Sequence, residues 1–177
     1  RPRPDNAILD LAQAIVKIQA HRFPVRWSDM TLEFFDETGH QLGGELGDAM
    51  VRFASNPEDE SASDRLAIES SYVGTTRTTC VVTMLRGGHA ENALPQSATA
   101  TVNCRIFPGV AVEDVMQTLQ KVVGNQTIEF EEIYEPTVSP ISELREDVRA
   151  AISEAVHARF PQIRLLPYME SGGTDGM

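Results

Sequence analysis

The sequence predicts an α+β protein in which helices cover a small sheet. Three observations support this: a helical apolar repeat near the start, two strand-like runs flanking Gly87-Gly88, and a second helical repeat leading into a short alternating run. The order helix, strand, strand, helix, strand corresponds to a ferredoxin-like β-α-β-β-α-β unit that lacks its first strand. We assign residues 1–135 to this unit.

The first predicted helix opens at Asp5 and Asn6, residue types that cap helix starts. Its apolar residues recur at helical spacing, and Pro24 marks its end because proline biases the preceding residue towards extended backbone. These apolar residues are Ile8, Leu11, Ile15 and Ile18. A helical insertion is predicted at about 28–71. Its pieces are 29–37, 45–54 and 62–70, separated by Gly39, by Gly43-Gly44 and by Asn56-Pro57.

Residues 75–85 are rich in β-branched side chains, which predicts a strand. Residues 97–107 alternate between apolar and polar types, which predicts a second strand with one packed face. Its packed side chains are Ala98, Ala100, Val102, Cys104 and Ile106, and its polar ones are Thr99, Thr101, Asn103 and Arg105. An apolar stripe at 112–123 with Gly124 as its stop predicts a helix, and alternation at 127–133 predicts the last strand.

The pattern changes beyond Glu135-Pro136. Ser139-Pro140 is typical of a helix start, and the apolar repeat after it predicts a long amphipathic helix. A strand-like run at 163–166 and a glycine-rich turn at 171–176 follow. These features together indicate one unit of a separate α/β domain, so residues 136–177 are assigned to a piece of such a domain.

Composition excludes some functions. Fifteen Lys and Arg residues against twenty-six Asp and Glu give a formal net charge of −11, which repels a nucleic-acid backbone. No apolar stretch approaches the roughly 20 residues that a membrane span needs. The chain begins without Met and without an apolar signal segment, as expected of a chain cut from a longer one. A removed leader would look the same, so cytoplasmic and exported locations both remain open.

Two cysteines are too few for a disulfide framework or a structural zinc site. Cys80 and Cys104 either lie opposite one another in a hairpin or are two small buried apolar side chains, and the second interpretation is favoured. His89 follows Gly87-Gly88 in a predicted turn and is assigned a structural role. His21, His40 and His157 lack the spacing of metal ligands.

Three segments together resemble the M20 peptidase family. They are Asp5-Asn6-Ala7-Ile8 before the first helix, the run from Gly87-Gly88-His89 through Asn92-Ala93-Leu94-Pro95 to Asn103-Cys104-Arg105, and Ser171-Gly172-Gly173-Thr174-Asp175-Gly176. The middle segment is the most specific, because a Gly-Gly, an Asn-x-x-Pro and an arginine in the next strand must fall in register. The helical insertion and Arg77-Thr78-Thr79 resemble most the longer, carboxypeptidase-S-like members.

The resemblance implies a catalytic domain with two zinc ions and a ferredoxin-like lid that forms a homodimer. It implies that Asn92 contacts substrate, often across the dimer, and that Arg105 holds the free carboxylate of a peptide or N-acyl amino acid. A paired-donor guanidinium suits that task. Gly173 and Thr174 would line the substrate site, with Glu170 beside them. The family's metal ligands and catalytic glutamate match nothing in this chain.

Two functions are therefore compared. The first is a fragment of a zinc-dependent exopeptidase or amidohydrolase, and the second is a ferredoxin-like dimerisation or small-molecule-binding module without catalysis. Under the first, this fragment alone is expected to bind no zinc and to hydrolyse nothing, because no cluster of ligands is evident in it.

Overall fold

A computed structural model describes residues 6–136 and 140–170, and these form an α+β structure. The elements are α1 (Ala7–Ala20), α2 (Asp29–Leu42), α3 (Gly44–Ser55), α4 (Glu60–Ala67), α5 (Ser70–Thr76), β1 (Thr79–Gly87), β2 (Ala98–Arg105), α6 (Val112–Val123) and α7 (Glu146–His157). They fall into two compact units. The sheet unit contains residues up to 23 and 78–136, and the helical unit contains 24–77 and 140–170. No helix in the described ranges is long and apolar enough to cross a membrane.

The sheet unit is built on an antiparallel hairpin of β1 and β2. Gly87 lies opposite Ala98 at the loop end, and Thr79 lies opposite Arg105 at the other end. The ladder is irregular between Val82 and Met84. Helices α1 and α6 contribute the buried core, with half-buried strand residues packed against it. The buried residues are Ala14, Ile18, Phe23, Val115, Leu119 and Val123.

Helix α1 begins where its cap predicts. The side chain of Asn6 accepts hydrogen bonds from the backbone N–H groups of Ile8 and Leu9, at 3.0 and 3.3 Å. Its buried residues are Ala14 and Ile18, whereas Ile8 is exposed, so the predicted apolar stripe is only partly buried. Helix α6 ends at Gly124, whose φ of 61° is the left-handed conformation that favours glycine.

The helical unit contains a hairpin in which Gly43 alone joins α2 to α3. The prediction that Gly39 separates two helices was wrong, because Gly39 is buried inside α2. A Cβ atom on Gly39 would lie 2.7 Å from the carbonyl oxygen of Gly47 in α3. Glycine is therefore required here for close backbone contact rather than for a break. The core of this unit comprises Phe35, Met50, Phe53, Ala62 and Leu66.

The first strand starts later than predicted, at Thr79 instead of residue 75. Thr75 and Thr76 complete α5, and the Thr75 hydroxyl donates to the carbonyl oxygen of Tyr72 at 2.8 Å. Threonine satisfies its hydroxyl on a helix carbonyl in this way. Its β-branched side chain therefore does not exclude it from a helix end.

Two further predicted strands are not strands in the structure, the runs at 127–133 and 163–166. The predicted alternation persists at the first: Ile128 and Phe130 are half-buried against the core, while Glu129 and Glu131 are exposed. Alternation of apolar and polar side chains does not by itself provide a neighbouring strand for backbone hydrogen bonds. Helix α7 begins at Glu146, later than the predicted start at Ser139, which lies outside the described residues.

Candidate functional site

Arg105 is the last residue of β2 and lies opposite Thr79. It is exposed, as is Asn103, whereas Val102 and Cys104 are half-buried and pack against the core. Successive side chains of a strand point to opposite faces of the sheet. The sequence therefore predicted the face of Arg105 correctly, and its guanidinium is accessible to an anion.

Asn92 is exposed in the loop at 88–97 that joins the two strands. The base of this loop is at the Gly87–Ala98 pair, whereas Arg105 is at the other end of the hairpin. Seven residue steps from Ala98 to Arg105 correspond to about 23 Å along a strand. A single hairpin therefore does not bring the base of the Asn92 loop close to Arg105.

Cys80 and Cys104 form a disulfide between directly opposite positions of β1 and β2. The favoured interpretation of two separate buried thiols was wrong. The signal that identifies the pair is their position: each lies on the packed face of one of two adjacent strand-like runs. Sequence patterns cannot fix the register that makes them opposite one another, because that depends on the length and path of the loop.

A second link crosses the hairpin just beyond Arg105. The backbone N–H of Phe107 donates to the hydroxyl oxygen of Thr78 at 3.0 Å, and both residues are buried. Sequence reasoning did not identify this contact, because a threonine at a strand start has no pattern that predicts its partner. Arg105 thus lies between a covalent link and a buried hydrogen bond.

Apolar side chains are exposed along β1. They are Val81, Met84 and Leu85, and Leu94 in the adjoining loop is exposed as well. Exposed apolar side chains on a strand are typical of surfaces that another chain covers.

The histidines are distributed rather than clustered. His89 is exposed in the loop, and His21 packs edge-on against Phe23 with ring centroids 4.7 Å apart. Nδ1 of His40 donates a hydrogen bond to the carbonyl oxygen of Asp36, and Nε2 of His157 donates one to the carbonyl oxygen of Ile163. Across the part of the chain that the structure describes, no three His, Cys, Asp or Glu residues are placed to hold a metal ion.

The helical unit carries the end of the described chain. The Tyr168 ring lies 4.9 Å from that of Phe34, and its hydroxyl donates to the carbonyl oxygen of Ser71 at 3.4 Å. Burial raises the pKa of Tyr168, with a further contribution from the negative charge of Glu170. Gly173 and Thr174 lie outside the described residues.

The helical unit also contains a small depression beside the start of α2, of about 200 Å³. Its lining residues are Ser28, Asp29, Met30, Glu33, Ser142 and Leu144. Pockets that enclose small molecules are typically about 300–1,000 Å³, so this depression is smaller than a typical ligand pocket.

Residues 2–131 match the family described as peptidase dimerisation domain, M20_dimer. The chain is 24% identical over 180 residues to "Probable carboxypeptidase S-like 2" of Dictyostelium discoideum, which covers 98% of this chain and 33% of that protein. It is 28% identical over 102 residues to the human "N-fatty-acyl-amino acid synthase/hydrolase PM20D1", covering 56% of this chain and 20% of that protein.

A zebrafish relative, Danio rerio "N-fatty-acyl-amino acid synthase/hydrolase PM20D1.1", is 31% identical over 180 residues, covering 98% of this chain and 34% of that protein. The chain therefore spans about a third or less of these curated relatives. No solved structure matches it.

Proposed function

Because this chain belongs to the M20 peptidase family, whose dimerisation domain it carries, we propose that it is part of a zinc-dependent exopeptidase or amidohydrolase. The proposed reaction is hydrolysis of a peptide bond or an N-acyl amino acid amide bond next to a free carboxylate. The observation that carries this proposal is the exposed Arg105 at the end of β2. The names of the relatives, a carboxypeptidase and N-fatty-acyl-amino acid synthase/hydrolases, agree with it.

Arg105 is proposed to hold the substrate carboxylate. A guanidinium offers two parallel N–H donors, which match the two oxygens of a carboxylate in distance and direction. This contact fixes the terminal residue of the substrate and thereby sets which amide bond reaches the catalytic groups. Its exposed position on a packed strand gives the side chain access to substrate on a rigid support.

Asn92 is proposed to contact the substrate held by a partner chain. The base of its loop lies about 23 Å from Arg105 along the strand, more than the distance between a carboxylate and the adjacent scissile bond. A homodimer formed through the lid would bring the Asn92 loop of one chain to the substrate of the other. The exposed apolar side chains of β1 are consistent with an interface on this hairpin.

Residues 1–135 are proposed to be a ferredoxin-like lid with a helical insertion, and 136–177 a piece of the catalytic α/β domain. In a split β-α-β arrangement the last strand pairs with the first. The run at 127–133 keeps the alternation of a strand but has no partner strand within the described residues. This is expected if its partner is the first strand, which the predicted β-α-β-β-α-β unit lacks. Gly173 and Thr174 are proposed to line the substrate site from the catalytic side.

The described residues do not fit a zinc site. Zinc needs at least three closely placed nitrogen, sulfur or oxygen ligands, and both cysteines are committed to the disulfide. The two zinc ions of the whole enzyme are therefore proposed to be held outside the described residues. This chain contributes binding and orientation of the substrate.

The test is Arg105→Ala in the whole enzyme, assayed on substrates with a free carboxylate and on the same substrates with that carboxylate converted to an amide. For the acids we expect kcat/KM to fall by an amount that corresponds to a loss of about 2–5 kcal/mol of transition-state stabilisation. This is the range for removing one partner of a charge pair that is buried in the complex. The amides should lose much less. Arg105→Lys should recover part of the activity on acids, because a point charge cannot reproduce two parallel hydrogen bonds.

Arg86→Ala is the matched control, since Arg86 is an exposed arginine at the loop end of the same hairpin. It should leave the ratio of acid to amide activity unchanged. Equal losses on acids and amides with Arg105→Ala would contradict the proposed carboxylate contact.

A further inference from the structure

We propose that the Cys80–Cys104 disulfide and the Thr78–Phe107 hydrogen bond are positioning elements for Arg105, which hold its guanidinium in the place that selects substrates with a free carboxylate. The inference rests on the proposed role of Arg105 as the carboxylate-binding residue. Binding of the substrate carboxylate by Arg105 then depends on two links that lie on either side of this residue and do not touch the substrate.

The geometry places the two links next to Arg105. Cys104 precedes it in β2 and is bonded to the directly opposite Cys80. Phe107 follows two residues later, and its N–H donates to Thr78. Thr79, which lies opposite Arg105, is thus flanked by one linked residue on each side. The backbone of Arg105 is fixed relative to β1 from both directions.

The packed face of the hairpin favours its observed register, and the two links add to this at the end that carries Arg105. A two-stranded ribbon is marginally stable by itself. The irregularity between Val82 and Met84 leaves Thr83 as an extra residue in β1, and movement of this bulge towards Thr79 would shift the start of β1 by one residue relative to β2. Such a slip moves every side chain of a strand to the other face. At the start of β1 it would place Cys80 opposite Arg105 in place of Thr79, and so change the surroundings of the Arg105 side chain.

The disulfide acts through the backbone and does not contact the substrate itself. Cys80 and Cys104 are half-buried and pack against the core of the sheet unit, together with Val102. Arg105 is on the opposite, exposed face. Loss of the disulfide should therefore change where Arg105 is held while leaving its chemistry intact. Misplacement of a binding group by about 1 Å can cost about a hundredfold in rate.

The first experiment replaces the disulfide in the whole enzyme by a non-covalent pair, C80V/C104V. Opposite valines favour strands and can pack against the same core, so the sheet should remain folded. We expect kcat/KM to fall about tenfold or more for acid substrates, through a higher KM. The amide forms should fall less than about twofold. Val102→Ala is the control: it removes packing from the same face and keeps both links, so the acid-to-amide ratio should stay unchanged.

The second experiment uses the hydrogen bond, which can be removed without touching the cysteines. Thr78→Val keeps the shape of the side chain and removes the acceptor for the Phe107 N–H, whereas Thr78→Ser keeps the acceptor. The valine variant should raise KM for acids selectively, and the serine variant should restore it. The C80V/C104V protein should be more sensitive to Thr78→Val than the wild type, because one link then remains where two existed.

The results separate this inference from the proposed function. A selective loss with Arg105→Ala, together with an unchanged acid-to-amide ratio in C80V/C104V and Thr78→Val, would overturn the positioning role and keep the carboxylate contact. An unselective loss with Arg105→Ala would overturn both. An equal fall for acids and amides in C80V/C104V and in Val102→Ala would reduce the disulfide to general stabilisation, which also contradicts positioning.

Discussion

The helical unit and the sheet unit differ in how completely each buries its own core. In the helical unit Phe35, Met50, Phe53, Ala62 and Leu66 are fully buried. In the sheet unit the buried core residues are 1–9% exposed, and Phe23 at 9% is the most exposed of them. The unit that carries Asn92 and Arg105 is thus the one whose core is less completely enclosed. The proposed binding residues and the less enclosed core therefore occur in the same unit.

The difference in core enclosure follows from how far apart in sequence the contacting elements lie. In the helical unit, α2 to α5 are consecutive, so their packing depends on neighbours that are close in sequence. The sheet unit joins α1 at residues 7–20 to strands and a helix that begin some sixty residues later or more. Local contacts cost less loop-closure entropy, so the helical unit can complete its core without distant parts of the chain.

The largest expected effect comes from making the same truncation in each unit. Leu66 is 0% exposed and Leu119 is 5% exposed, and both are leucines on helices. Leu66→Ala should destabilise the helical unit by about 4 kcal/mol, and Leu119→Ala should destabilise the sheet unit by about 2–3 kcal/mol, because a less enclosed site relaxes more readily around the missing atoms.

Each unit offers its own probe for this comparison. The only tryptophan, Trp27, lies in the helical unit, so its fluorescence follows unfolding there. Hydrogen exchange of the α6 amides follows the sheet unit. A larger loss for Leu119→Ala than for Leu66→Ala would show that the sheet unit has the tighter core, and the comparison would be reversed.

An intermediate effect should appear in self-association. Leu85 on β1 is 62% exposed and Ile68 in the helical unit is 76% exposed, so each can be changed to glutamate with little effect on the core. If dimers form through the hairpin, Leu85→Glu should raise the dimer dissociation constant by about tenfold or more, or about 1.4 kcal/mol. Ile68→Glu should leave it unchanged. Sedimentation over a range of concentrations measures both, and equal effects would exclude β1 as the interface.

The smallest effect concerns the pH dependence of α7 in the helical unit. Arg145 donates two hydrogen bonds to Asp147, from Nε at 3.1 Å and from Nη2 at 2.5 Å. These bonds lower the pKa of Asp147 below its ordinary value of 3.8. A carboxyl whose folded pKa is lowered stabilises the fold above its unfolded pKa. That stabilisation is lost as the pH falls through the folded pKa.

The stability difference between wild type and Asp147→Asn should therefore be present at pH 6 and shrink as the pH falls below about 4. Both side chains are largely exposed, so the change in Tm should be small and should weaken with salt. Arg145→Gln should remove most of this pH dependence and leave the smaller part that arises from the backbone N–H groups of Asp147 and Val148. An undiminished pH-dependent difference in Arg145→Gln would show that Arg145 is not the main cause.

The sequence predicted those elements whose signals are local. Helix α1 has its cap at Asn6, α6 has its stop at Gly124, and the alternation of β2 placed Arg105 on the exposed face. Each depends on residues within a few positions of one another. The M20 resemblance was confirmed by the match to the peptidase dimerisation domain.

The features that could not be predicted depend on partners distant in sequence. Glycine is a residue type that often breaks helices, yet Gly39 lies within a helix and allows close contact with Gly47 on the next helix. The 127–133 run has the pattern of a strand without a pairing partner in the described chain. The disulfide and the separation of Arg105 from the base of the Asn92 loop both follow from the pairing of one hairpin. Pairing register is a property of two segments, and neither segment encodes it alone.

The contact between Gly39 and Gly47 also restricts the length of the chain at this point. Each glycine is four residues from Gly43, the single residue between α2 and α3. One residue inserted at Gly43 would rotate one helix by about 100° relative to the other and carry its glycine away from the contact. A bulkier side chain would then meet backbone at a separation that leaves no room for a Cβ. Relatives that keep this hairpin should therefore have no insertions or deletions between the positions of Gly39 and Gly47.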